Sequence, residues 1–222
     1  MRSLVVLLLL APALAACGNL VPDGKSQRTT AAPARSQAIA ISPQGQQCLA
    51  QLSATGSRFE ALPDKYYGAG CSAINAVSLS SLAGDRSSLE LANIGPVTCP
   101  TAEALSGWAR FGVDRAARKI LGSPLRRIET MGSYACRNVA GSSKRSAHAR
   151  AEAVDVAAFV LEDGRRISVL DHWHGGSREE REFLRVVQQS ACKRFGTVLS
   201  PEYNAAHHDH LHLEWGPSSF CR

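Results

Sequence analysis

The chain has 222 residues and a formal charge of +6, from 25 Lys and Arg against 19 Asp and Glu. Its basic residues sit in scattered pairs such as Arg126-Arg127, Lys144-Arg145 and Lys193-Arg194, with no long stripe and no interleaved aromatics. That pattern argues against nucleic acid as a partner. A mild positive field suits an anionic surface and serves solubility equally well.

The first residues read as a targeting segment. Met1-Arg2-Ser3 is a short positive start, and Leu4 to Leu10 is an unbroken apolar run too short to span a bilayer. It ends in Leu14-Ala15-Ala16-Cys17, where small residues before a Cys resemble the bacterial lipobox. Residues 1–16 are therefore expected to be a lipoprotein signal peptide, with Cys17 the lipidated N-terminus of the mature chain. An ordinary secretory signal cut near Ala16 is the competing reading; either way the chain is exported. Residues 17–44 are rich in Ser, Thr, Ala, Pro, Gly and Gln with little periodic apolar signal, as a flexible tether would be. Residues 45–222 fit one domain of ordinary size. The expected setting is the periplasm, with a membrane contact through the lipid; the oligomeric state is not legible.

Cys48, Cys71, Cys99, Cys136, Cys192 and Cys221 remain, an even set that implies disulfides in an exported chain. Sequence does not choose among the pairings; the one expected here is Cys48–Cys71, Cys99–Cys136 and Cys192–Cys221. The absence of a C-x2-C pair argues against a cysteine zinc cluster.

Along the domain, 73–82 and 89–97 read as strands bounded by Gly84-Asp85 and Gly95-Pro96. Thr101 opens a helix, with Glu103 in its first turn and an apolar side running to about Leu121. Residues 125–136 read as a strand, and the Gly/Ser-rich, basic 137–147 as a loop. Residues 154–161 and 166–170 flank Asp163-Gly164, a hairpin signal. Phe183, Val187, Ala191 and Phe195 recur at helical spacing over 178–195. Residues 197–199 and 209–215 are the last strands. The whole implies an α+β domain: a central antiparallel sheet, flanking helices, and a site in a cleft on the sheet.

Four of the seven histidines lie between positions 207 and 212. On a strand, residues two apart share a face, so His208, His210, His212 and Glu214 would line one side, with Leu211 and Leu213 facing the core. A row of histidines is costly to bury without partners, and a metal in a cleft removes that cost. Upstream, His148 lies seven residues before Asp155, which begins a strand. Imidazole and carboxylate both ligate zinc, at roughly 2.0–2.2 Å. Strand geometry alone permits either His210 or His212 as the downstream ligand. Glu214, Tyr134, Ser146 and Asp209 are candidates to orient ligands, and structural hydrogen bonding explains them as well. His172 and His174 form a second polar cluster, read as an exposed loop rather than a lid.

These residues resemble a family. Ser146-x-His148-x6-Asp155 with a distal His210-x-His212 looks like the zinc peptidases that cut peptidoglycan cross-links or terminal D-alanine, the D-alanyl-D-alanine carboxypeptidases and lysostaphin-like enzymes. The extensin-like C-terminal domain family is the closer resemblance. It rests on Gly132-Ser133-Tyr134-x-Cys136-Arg137, Ala153-x-Asp155-Val156, Phe183-Leu184, Cys192 and Leu199-x-Pro201-Glu202-Tyr203-Asn204. The resemblance implies that His148, Asp155 and His212 hold one zinc ion, and that His210 and Arg137 are catalytic. His210 would activate the water or stabilise the oxyanion; Arg137 would hold a substrate carboxylate or the oxygen gaining charge. A His2Asp set also accepts other divalent metals. The related enzymes often have Gly three residues after the first ligand His, where this chain has Ala151.

The expected function is thus a zinc-dependent hydrolase cleaving peptide bonds of peptidoglycan stem peptides or cross-links, of D,D-carboxypeptidase or endopeptidase type. The alternatives are a non-catalytic, zinc-containing envelope lipoprotein that binds cell-wall peptide, and a disulfide-stapled envelope protein with no metal.

Overall fold

The computed structural model describes residues 41–222; the expected signal peptide, the expected lipidation site Cys17 and most of the expected tether lie outside the described residues. The first element, helix α1 (Pro43–Ala54), starts inside the stretch expected to be tether. Ser42 caps it by accepting from the Gly45 N–H, and Pro43 supplies a preset φ at the first helical position.

Twelve strands follow: β1 (Arg58–Ala61), β2 (Lys65–Gly68), β3 (Cys71–Ala73), β4 (Ala76–Ala83), β5 (Ser88–Ala92), β6 (Val97–Thr98), β7 (Leu125–Gly132), β8 (Ala153–Leu161), β9 (Arg166–Ser168), β10 (Thr197–Leu199), β11 (Leu211–Glu214) and β12 (Phe220–Cys221). Helix α2 (Cys99–Trp108) continues through π-helical turns to Leu121; α3 is Val169–Gly175 and α4 is Arg178–Ala191. The main sheet runs β1-β4-β5-β7-β8-β11-β10-β12, with β6 on β4 and β9 on β8; β2 and β3 form a separate hairpin. The α+β class holds, with a large central sheet and flanking helices. Its pairing is mostly antiparallel, but β5–β7 and β10–β12 are parallel. The β5-to-β7 return carries α2 as its crossover.

Several expected elements divide. The 73–82 strand breaks at Asn75, which adopts φ 48°, and the 89–97 strand breaks at Asn93, at φ 59°. Both side chains tolerate the left-handed region better than most. Residues 166–170 form only the short β9 and then enter α3, because Ser168 accepts from the Asp171 N–H and caps a helix there. His172 and His174 therefore stand on a helix, not in a loop. Helix α4 has a full capping box between Ser177 and Glu180.

One layer of the core joins sheet to helices. Trp108, Phe159, Phe183, Leu211 and Leu213 are wholly buried in it. Trp108 donates its indole N–H to the Val187 carbonyl at 3.0 Å and meets Phe159 edge to face at 5.9 Å. Asp114, fully buried, accepts from the Leu125 N–H at 3.0 Å and pairs with Arg118.

Strand β8 changes which parity faces this core. Val154 and Val156 are core residues, and so are Phe159 and Leu161. The switch follows a register shift against β7: Glu129 pairs Ala158 and Thr130 pairs Val156, leaving Ala157 over. A bulge of this kind re-aims the side chains before it. It puts Asp155 on the face away from the helices.

Two of the three expected disulfides are corrected. Cys48 joins Cys99, and Cys71 joins Cys136; Cys192–Cys221 is as expected. The Cα atoms of the observed pairs lie 5.6–6.1 Å apart, a bridgeable distance. The fold sets this: α1 packs on α2, bringing Cys48 to the first residue of that helix, while Cys71 on the hairpin meets the segment after β7. Three disulfides suggest an exported or oxidising environment. No helix among the described residues is long and apolar enough to cross a membrane.

Candidate metal centre

Asp155 and His212 are direct cross-strand partners in the β8–β11 ladder, which sets their side chains side by side on one face. Their flanking partners Val154–Leu213 and Val156–Leu211 point into the core and fix that register. His148 arrives from a 3₁₀ turn, Ala147–Arg150, capped by Ser146. Ser146 is buried and accepts from the His148 N–H at 3.4 Å, so its hydroxyl shapes the turn.

The turn ends at Ala151, φ 57° and ψ 27°. A left-handed position of this kind suits Gly, the residue that the resembled peptidase pattern often has here. Alanine is accommodated, its methyl buried against Ala73 and Ala76.

Three side chains converge. His148 Nε2 lies 3.2 Å from Asp155 Oδ2 and 3.2 Å from His212 Nδ1, and His212 Nδ1 lies 2.9 Å from Asp155 Oδ1. Ligands at about 2.05 Å around a tetrahedral ion are roughly 3.3 Å apart, so the set fits such a cation with little adjustment. His148, Asp155 and His212 can together hold a metal ion.

The outer shell supports the same reading. His148 Nδ1 donates to the Ser133 carbonyl at 2.9 Å, which leaves Nε2 with its lone pair toward the group. His212 Nε2 lies 3.5 Å from Glu214 Oε2, leaving Nδ1 as its inner atom. A carbonyl or carboxylate behind each imidazole is how metal-binding histidines are oriented.

The electrostatics follow. Burial would raise the Asp155 carboxyl, but hydrogen bonds from His148 and His212 outweigh it and hold the group far below the usual carboxylate range. Burial would lower His212, but Asp155 and then Glu214 outweigh it and raise the imidazole to about 9. Glu214 is held low by its bond to His212.

The remaining candidates fall in different places. His210 lies just before β11 but faces the cleft; its Nδ1 is 2.8 Å from Asp209 Oδ1 and its Nε2 is 3.6 Å from Asp155 Oδ1. Arg137, exposed, lines the same cleft of about 430 Å³ with Lys144, Tyr203 and His207. His208 is not on the strand: β11 begins at Leu211, and His208 closes a 3₁₀ turn with its Nδ1 2.9 Å from the Ala205 carbonyl. Tyr134 packs on Tyr67 at 5.0 Å, outside the cleft lining, while its neighbour Ser133 supplies the carbonyl that orients His148. His207 was not singled out in sequence. It lines the cleft 5.1 Å from the His210 ring, and burial, then His210 and His212, push it down to about 4. Its pairing with Asn204 in an N-capped turn was the available signal.

The family model for the extensin-like protein C-terminus matches residues 46–222. The chain belongs to the extensin-like C-terminal family. No curated protein and no solved structure matches it. All three converging residues of this extensin-like domain, with the cleft above them, lie within the matched span.

Proposed function

We propose that this extensin-like domain is a zinc-dependent hydrolase acting on peptide bonds of peptidoglycan stem peptides or cross-links. The observation that carries the reading is the His148–Asp155–His212 convergence, backed on both imidazoles, beside a histidine that is not one of the three. When bound, zinc supplies Lewis acidity toward a carbonyl and brings a water's pKa toward about 7.

The chain's own groups supply the rest. His210 donates from Nδ1 to Asp209 and so presents Nε2 to take a proton from the attacking water, a proton it then delivers to the leaving amine. Asp209 holds the ring at that angle. Arg137 and Lys144 on the rim offer positive charge to a peptide carboxylate or to oxygen gaining charge. The neutral His207 beside them adds a polar wall without a competing cation. A lipid tether would hold the domain at a membrane within reach of the wall.

The test is incubation of zinc-loaded protein with purified peptidoglycan, followed by mass analysis. Loss of a terminal alanine means carboxypeptidase; divided cross-links mean endopeptidase. Intact muropeptides with zinc bound would replace this reading with that of a cell-wall-binding module, and cleavage by zinc-free protein would overturn the metal's role.

A further inference from the structure

The walls of a second depression, of about 530 Å³, are α1, the start of α2, the turn after α4 and Trp215. Trp215 follows Glu214 but lines this groove and not the cleft. It is 41% exposed, whereas Trp108 and Trp173 are 0% and 1% exposed. Its ring is open to a ligand, because the neighbouring Arg194 lies over Phe111 instead. Opposite it stand Gln44, Gln47 and Gln51. Their three- and four-residue spacing places all three amides on one side of α1. Glu103, Lys193 and Arg194 also line it, one acidic group against two basic ones.

We propose that this groove binds a neutral oligosaccharide. A sugar ring has an apolar C–H face that stacks on an indole and a rim of hydroxyls that both donate and accept. Carboxamides match that rim because each also donates and accepts. One net positive charge is too little to select a polyanion, the polar walls do not suit an acyl chain, and helical walls offer no strand edge for an extended peptide. The walls are also fixed in advance. Cys48–Cys99 joins α1 to α2, and Cys192–Cys221 secures the chain beside Lys193. Rigid walls lower the ordering cost of binding. Nothing in this inference uses the metal cleft, so it stands or falls apart from the hydrolase reading.

The test uses the purified full chain and the hexamer of N-acetylglucosamine. Trp215 is the exposed tryptophan among three, so acrylamide quenching of intrinsic fluorescence reports on it. The saccharide is expected to shield that fluorescence at millimolar concentration, unchanged by a zinc chelator. In calorimetry, Trp215→Ala raises the dissociation constant at least about tenfold, as loss of a central aromatic anchor should. The double change Gln47→Leu and Gln51→Leu, on the exposed side of α1, weakens binding with the indole intact and serves if Trp215→Ala does not fold. No shielding, affinity that survives these changes, abolition by chelator, or shielding by free stem peptide in place of the saccharide would each overturn the proposal.

Discussion

His212 makes the metal centre a proton switch whose sign can be worked out. In the zinc-free protein its pKa is raised from 6.5 to about 9, because Asp155 and Glu214 outweigh burial. A raised folded-state pKa stabilises most below 6.5 and loses that contribution as pH climbs through 9. Integrating between those two values, zinc-free protein loses roughly 2 kcal/mol from pH 7 to pH 9. For a domain of this size that is a fall in Tm of roughly 4–8 °C. Asp155, held low, and His207, at about 4, shift their contributions at acid pH and leave this window untouched. Zinc must displace the His212 proton, so its affinity should rise about tenfold per pH unit below 9, with about one proton released per ion at pH 7. At fixed, chelator-buffered free zinc the two effects cancel, and the loaded protein should keep a nearly constant Tm from pH 7 to 9. The assay is a pair of thermal melts across that range, with proton release followed by calorimetry in buffers of different ionisation enthalpy. A zinc-free Tm that is flat or rising, or zinc binding without proton release, would refute the His212 assignment.

Other outcomes follow from the same geometry. His148→Ala should remove stoichiometric zinc, measured by elemental analysis on untagged protein, and with it any muropeptide cleavage. His210→Ala should retain zinc while turnover drops about 10²- to 10⁴-fold, the range for a lost general base. Glu214→Gln should weaken zinc about 10- to 100-fold through the freed His212 ring, read by competition with a chelating dye. Ala151→Gly should change stability by less than about 1 kcal/mol in a urea titration. Relief of a left-handed Ala, about 1–2 kcal/mol, is offset by the lost buried methyl and the more flexible unfolded chain.

Much of the fold was legible because its signals are local. The Phe183–Val187–Ala191 spacing gave α4, Asp163-Gly164 gave the β8–β9 turn, and alternating His212 and Leu213 gave the two faces of β11. Helix α1 was written too, in Ser42-Pro43, but its Gln-rich surface hides the apolar period, and Leu52 is its one large, fully buried side chain. The disulfide partners were not legible. Cys48–Cys99 depends on α1 lying across α2, and Cys71–Cys136 on the hairpin meeting the end of β7, neither of which is encoded nearby. At the site, sequence supplied the side chains but not their supports. The Ser133 carbonyl is a backbone atom with no residue signature, and His208 looked equivalent to its neighbours until a 3₁₀ turn took it off the strand.

The surplus Ala157 in β8 bears on attempts to move this chemistry. Copying His148, Asp155 and His212 onto an unbulged sheet would set Asp155 and Phe159 on the same side, forcing either the carboxylate into oil or the phenyl ring into water. The transferable unit is therefore the three side chains together with either the bulge or one residue fewer between Asp155 and Phe159. Deleting Ala157 alone makes Glu129–Ala158 and Thr130–Val156 consecutive pairs and keeps Asp155 off the core face, so the centre should survive it.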